Sequence, residues 1–142
     1  METARLIVCE QTGDWAASLR RMLDNIRVYE TRSLRACWKE LETAPASLIC
    51  LQWPFDSDVV WLARLAALDS QFPRARAVVL STPAGRSLNN VWREAGAVHV
   101  VYSQRDLEEI KPIVERHLAS APAPKYESAK DEFWNRLPWS ES

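Results

Sequence analysis

Apolar positions along this chain switch repeatedly between short continuous runs and helical spacings, and each switch marks a strand followed by a helix. The first run is residues 5–9, RLIVC. Trp15, Leu19, Met22 and Leu23 then recur at the spacing of one helix face, with Asp14 as the expected N-cap. Residues 26–29 alternate apolar and polar, as an edge strand does. Ser33 opens a second helix that puts Leu34, Cys37, Trp38 and Leu41 on one face, and Pro45 closes the region. Residues 47–51 read SLICL, a run suited to a central parallel strand covered on both faces.

The second half continues the pattern. Residues 58–68 form a third helix, apolar around much of its circumference and stopped at Phe72-Pro73. Residues 77–80 are the fourth strand. Leu88, Val91, Trp92 and Ala95 mark a fourth helix ending at Gly96, where a left-handed C-cap is favoured. Residues 98–102 are the fifth strand. The last helix runs from about Asp106 to about Leu118. Pro112 either kinks it or stands near the start of a helix that begins at Lys111.

Five strand–helix pairs specify an α/β fold: an open, five-stranded parallel sheet with right-handed crossovers and helices on both faces. Five strands in this length favour the flavodoxin-like order 2-1-3-4-5. The domain is expected over residues 1–120. Residues 121–142 begin with a stiff Ala-Pro-Ala-Pro linker and continue as a polar tail carrying Phe133, Trp134, Leu137, Pro138 and Trp139.

The totals narrow the setting. A chain of 142 residues, 47% hydrophobic and 26% charged, fits one soluble globule. A net charge of −1 gives no global bias toward nucleic acid. The start, METARLIVCE, lacks the layout of a signal peptide, and no apolar run approaches a membrane span, so the expected location is the cytoplasm. Cys9, Cys37 and Cys50, with only His99 and His117 beside them, match no zinc spacing. Buried reduced thiols are the expectation, with Cys9 and Cys50 as neighbours in the core.

In such sheets ligands sit beyond the carboxyl ends of the strands. Those ends carry Glu10 and Gln11, then Gln52, then Ser81 and Thr82, then Ser103. With Gly only at positions 13, 85 and 96, no glycine-rich phosphate cradle is available. Neither histidine has a nucleophile partner in sequence, and no nucleophile-elbow or P-loop motif occurs. No enzyme activity, cofactor or bound metal is expected.

From Ala77 to Ile110 the chain reads AVVLSTPAGRSLNNVWREAGAVHVVYSQRDLEEI, and this resembles, without a gap, the last third of a response-regulator receiver domain. EQTGDWAASLRRML similarly resembles that family's first loop and helix, so the likeness spans about Leu6 to Leu118. The resemblance implies a phosphorylation site whose parts are largely replaced. Of two adjacent Mg²⁺-holding acids, Glu10 is kept and the other is Gln11. The phospho-accepting Asp corresponds to Gln52, the Ser/Thr after strand four is kept as Ser81, and the Lys after strand five is Ser103. The switch aromatic falls on Val100, not Tyr102. Asp56 and Asp58 lie near Gln52 and offer an acceptor only in a shifted register; a loop acid and a helix cap are the plainer reading.

An amide cannot form an acyl phosphate, and one Glu is a thin ligand set for Mg²⁺. The resemblance then implies a non-phosphorylatable receiver-like signalling or adaptor protein acting by protein–protein interaction. Its expected surfaces are helix four, strand five and helix five, with Asn89, Arg93, Val100, Tyr102, Arg105 and Glu109 there, and the tail residues Phe133, Trp134, Leu137 and Trp139. A homodimer through the same face is one expected arrangement; the partner's identity is not encoded. Direct nucleic-acid or membrane binding is not expected. The alternatives are a divergent, phosphorylation-competent receiver and a small-ligand binder using Glu10, Gln11, Gln52, Ser81 and Ser103. Of seven tryptophans, Trp15, Trp38, Trp61 and Trp92 suit the core, while Trp53 is placed to plug the strand-end pocket.

Overall fold

The computed structural model describes residues 3–120. The expected tail contacts Phe133, Trp134, Leu137 and Trp139 therefore lie outside the described residues. The elements are β1 (Leu6–Cys9), α1 (Asp14–Met22), β2 (Val28–Thr31), α2 (Leu34–Thr43), β3 (Leu48–Gln52), α3 (Asp58–Gln71), β4 (Arg76–Leu80), α4 (Asn89–Ala95), β5 (Ala97–Val101) and α5 (Lys111–Ser120). Short 3₁₀ segments, Pro83–Leu88 and Gln104–Ile110, precede α4 and α5. All strands pair in parallel in the order β2-β1-β3-β4-β5.

The continuous apolar runs follow from a sheet buried on both sides. Successive side chains of a strand point to opposite faces, so each run feeds two cores. Ile7, Cys9, Ile49, Leu51, Ala77 and Val79 meet α2, α3 and α4 through Leu41, Trp61, Leu65 and Trp92. Leu6, Val8, Leu48, Cys50, Val78 and Leu80 meet α1 and α5 through Trp15, Leu19, Ile110 and Val114. Trp15, Trp38, Trp61 and Trp92 are all buried, as their helical spacing implied.

Several local expectations are corrected. β2 begins two residues later than the alternation suggested: Ile26 closes a turn onto the Leu23 carbonyl, and the strand extends to Thr31, whose hydroxyl donates to the Val8 carbonyl at 2.9 Å. The N-cap of α1 is Gly13 at φ 96°, not Asp14, which is the first helical residue. Val91 is exposed, because α4 is short and turns only Trp92 fully inward. Pro112 is the second residue of α5, where no intrahelical donor is lost, so the helix is not kinked there.

Cys9 and Cys50 are not neighbours. β1 and β3 pair Val8 with Cys50 and Cys9 with Leu51, so the two thiols point to opposite faces of the sheet. The partner of Cys9 is Cys37 on α2. A hydrogen bond from Cys37 holds the Cys9 thiol below its usual range against the opposing effect of burial, while Cys37 is pushed well up. Burial pushes Cys50 up to about 12. All three are free and buried. In the folded protein they are expected to resist a thiol reagent such as DTNB, while an unfolded control reacts at all three; fast native labelling would show the core opening.

Both open edges of the sheet carry an arginine guard. Arg20 of α1 donates to the Val28 carbonyl on β2 at 3.1 Å, and Arg93 of α4 to the Val98 carbonyl on β5 at 3.4 Å. Such a cation on an edge carbonyl discourages pairing with another chain. Arg20 and Arg32 also bracket Glu30. Their hydrogen bonds, Arg20 first, hold its carboxyl below the usual carboxylate value of 4.5. A depressed folded-state value contributes stability above the unfolded value and loses it as pH falls. Glu30→Gln should therefore destabilise modestly at neutral pH, with the difference shrinking as pH drops below about 4.5 in urea titrations.

Candidate functional site

The carboxyl ends of β1, β3, β4 and β5 converge on one edge of the molecule, where the strand order reverses between β1 and β3. The backbone there is tightly laced. Glu10 N–H donates to the Thr31 carbonyl at 3.2 Å, Trp53 N–H to Leu80 at 2.9 Å, and Ser81 N–H to Val101 at 2.7 Å.

Glu10 is fully buried. Its carboxyl oxygens accept from the first-turn amides of α1: Oε1 from Trp15 N–H at 2.9 Å and Oε2 from Ala16 N–H at 2.7 Å. Thr12 Oγ1 accepts from Asp14 N–H at 3.3 Å, and the Gly13 carbonyl accepts from Ala17 N–H. The orphan donors of the helix start are thus met without a side chain at the cap position. Gly13 makes this path feasible, because its φ of 96° is a region that L side chains rarely adopt.

Gln52 ends β3, and its Oε1 accepts from Gln11 N–H at 2.8 Å across the crevice. Of the five strand-end residues expected at the site, these two are joined directly. The others satisfy themselves locally. Ser81 Oγ donates to the Thr82 carbonyl at 2.8 Å and is almost fully buried; Ser103 Oγ donates to Asp106 at 3.3 Å. Gln104 accepts from Ser18 Oγ at 2.7 Å, tying the β5 end to α1.

Above Gln52 lies an aromatic layer. The Trp53 ring packs on Trp92 at 5.2 Å, and Trp92 meets Trp61 edge-on at 5.7 Å. Trp61 Nε1 donates to the Gln52 carbonyl at 2.9 Å, and Trp53 Nε1 to Asp58 at 3.1 Å. The Trp53–Pro54 peptide is cis. Trp53 is therefore packed against the α3–α4 side of the core, and Asp58 is engaged in the first turn of α3. Gly85 presses in from the other side: a Cβ there would stand 2.1 Å from Ser81 Oγ and 2.6 Å from Trp92. No local sequence signal marks this close approach, which depends on how the Pro83–Leu88 segment packs on Ser81 and Trp92.

On the flank formed by α4, β5 and the segment entering α5, Tyr102 donates to Asn89 Oδ1 at 2.7 Å, and the Arg86 guanidinium lies 4.5 Å over its ring. His99 pairs with Glu109 at 2.9 Å. Arg105 and Arg93 are exposed. Val100, expected among the contact residues, is buried at 3% exposure because strand alternation turns it into the α3–α4 core. Among the described residues no group of three or more His, Cys, Asp and Glu side chains is gathered as a metal would require. No helix among them is long and apolar enough to cross a membrane.

This fold is that of CheY-like receiver domains. The chain superposes on a CheY-like protein, tadZ, from Pseudomonas aeruginosa PAO1 with a TM-score of 0.67 at 17% identity, covering 81% of this chain and 99% of that one. It superposes on the beryllofluoride-activated NtrC4 receiver domain dimer at 0.63 and 19% identity, covering 80% and 98%. The RcsB response regulator of Salmonella typhimurium gives 0.63 at 16% identity, covering 95% and 77%. No protein-family model matches the sequence, and a search of curated proteins finds no match.

Proposed function

We propose that this chain is a signalling receiver-like domain that does not accept a phosphoryl group and acts as an adaptor through protein–protein contact. The observation that carries the reading is Gln52, an amide at the end of β3 whose oxygen is already bonded to Gln11 N–H. An acyl phosphate needs a carboxylate oxygen as nucleophile, and the amide supplies none. The surroundings support the same reading. Glu10, the one retained acid, is spent on the α1 amides. Ser103, lacking the cation that would pair with a phosphoryl charge, is turned to Asp106. Ser81 is buried beneath Gly85 and Trp92.

The proposed contact face is the flank carrying Tyr102, Arg86, Asn89 and Arg105. The clamp of Tyr102 between Asn89 and Arg86 ties the start of α4 to the segment just past β5. A rigid face of this kind lowers the ordering cost of binding. The partner is a protein, a second copy of this chain included; the NtrC4 neighbour is itself described as a dimer. RcsB is described in terms of DNA interaction, but for this near-neutral chain no direct nucleic-acid contact is proposed.

The test pairs two experiments. Incubation with acetyl phosphate and Mg²⁺, followed by intact-mass measurement, should add no phosphoryl group. Affinity capture from the source cell should then retain a protein that Tyr102→Ala with Arg105→Glu releases. A stoichiometric phosphoryl adduct would overturn the first half, and capture unchanged by the double substitution would overturn the second.

A further inference from the structure

α3 is apolar on two sides. Its inner side buries Trp61, Leu65 and Leu68. Its outer side leaves Val59 at 78% and Val60 at 48% exposure. Ala63 and Ala67 continue the outer stripe, and with Arg64 and Gln71 they line one shallow groove along the helix. Arg64 does not break the stripe, since its guanidinium lies over the Trp38 ring at 5.3 Å. A helix that faces water normally turns a polar side outward, and a contiguous apolar side marks a surface that something covers.

We infer that residues 133–139 of the same chain, FWNRLPW, dock along this outer face of α3. The inference goes beyond the α4–β5 contact face and does not depend on it. The end of the sheet from which the chain exits and the reach of the linker both admit this occupant. His117 near the end of α5 bonds the Ala46 carbonyl at 2.7 Å, just before β3 begins. Arg76 N–H, at the start of β4, donates to the Ser47 carbonyl at 3.2 Å. α3 ends at Gln71, five residues before Arg76. The chain therefore leaves the described domain at the end of the sheet where α3 finishes, but on the α1–α5 face, so the linker passes round the sheet to reach α3. Residues 121–132 separate Ser120 from Phe133, and at roughly 3.3 Å per residue they span about 40 Å. The 14 residues of α3 extend only about 21 Å at 1.5 Å each.

The chemistry is complementary as well. Phe133, Trp134, Leu137 and Trp139 place four large apolar side chains within seven residues. The face they would cover is built from valine and alanine, small enough to admit aromatic rings close to the helix backbone. Docking there removes the exposed valines from water and leaves Tyr102, Arg86 and Arg105 uncovered.

The test uses the full chain with one added thiol, Ser140→Cys, carrying a nitroxide; the three native cysteines are buried. Amide and methyl signals of Val59, Val60, Ala63 and Ala67 should lose most of their intensity while the α1 signals stay sharp. The loss should persist when the labelled protein is diluted with unlabelled chain of natural isotopic abundance. Val59→Lys with Ala63→Glu, both on the surface, should restore the remaining α3 signals without disturbing the rest of the spectrum. Sharp α3 signals in the labelled protein would overturn the inference. So would broadening centred on α4 and β5, or broadening that disappears on dilution and so comes from a second copy.

Discussion

Glu10→Ala is expected to lower the unfolding free energy by about 2–4 kcal/mol, because two first-turn amides of α1 lose their side-chain acceptor in a fully buried site. Against the roughly 5–15 kcal/mol that holds a domain together, that is a large share. Urea unfolding at neutral pH measures it directly. Glu10→Gln keeps one acceptor oxygen and should lose about half as much. The comparison separates two roles for this side chain. A carboxylate kept for a cation, with no cation added, would make the domain more stable when replaced by a neutral side chain, because the cost of burying the acid would be relieved. A carboxylate kept as a helix cap makes it less stable. A loss under about 0.5 kcal/mol for the alanine variant would contradict the capping role.

Gly85→Ala should cost about 1–3 kcal/mol or more, although it adds only one methyl group. The added carbon would meet Ser81 Oγ at 2.1 Å and the Trp92 ring at 2.6 and 3.1 Å. Both neighbours are nearly fully buried, so neither can swing into solvent. Ser81→Ala in the same chain removes the tightest of these contacts. The double variant should therefore be more stable than the sum of the single losses implies, as expected for residues that share one space. Thermal unfolding of the four proteins completes the cycle. Simple additivity would mean that Gly85 does not lie against Ser81 in solution, and the closed crevice above β4 would have to be redrawn.

The sheet order and the element count were legible because the two periods of the backbone are written plainly in the apolar runs. SLICL and AVVL cannot serve a half-exposed strand, and Trp61, Leu65 and Leu68 cannot avoid one helix face. The positions of Gln52 at the end of β3 and Ser103 just past β5 were legible for the same reason. What stayed hidden depends on distances that no local pattern carries. The cap of α1 comes from Glu10, four residues before the helix starts, whereas capping signals are read at the residue next to it. The Cys9–Cys37 pairing depends on register, and a shift of one residue moves a thiol through the sheet. Val59 and Val60 look like core residues in sequence because apolarity does not say which side of a helix is covered.

On the proposed reading the strand-end crevice is closed to phosphoryl chemistry. Beryllofluoride with millimolar Mg²⁺, followed by amide resonances of the full chain, tests it most directly. The expected result is no shift at Gln11, Gln52, Ser81 or Ser103 and an unchanged environment for Tyr102. Saturable shifts centred on Gln52 and Ser81, spreading to Asn89 and Tyr102, would contradict it.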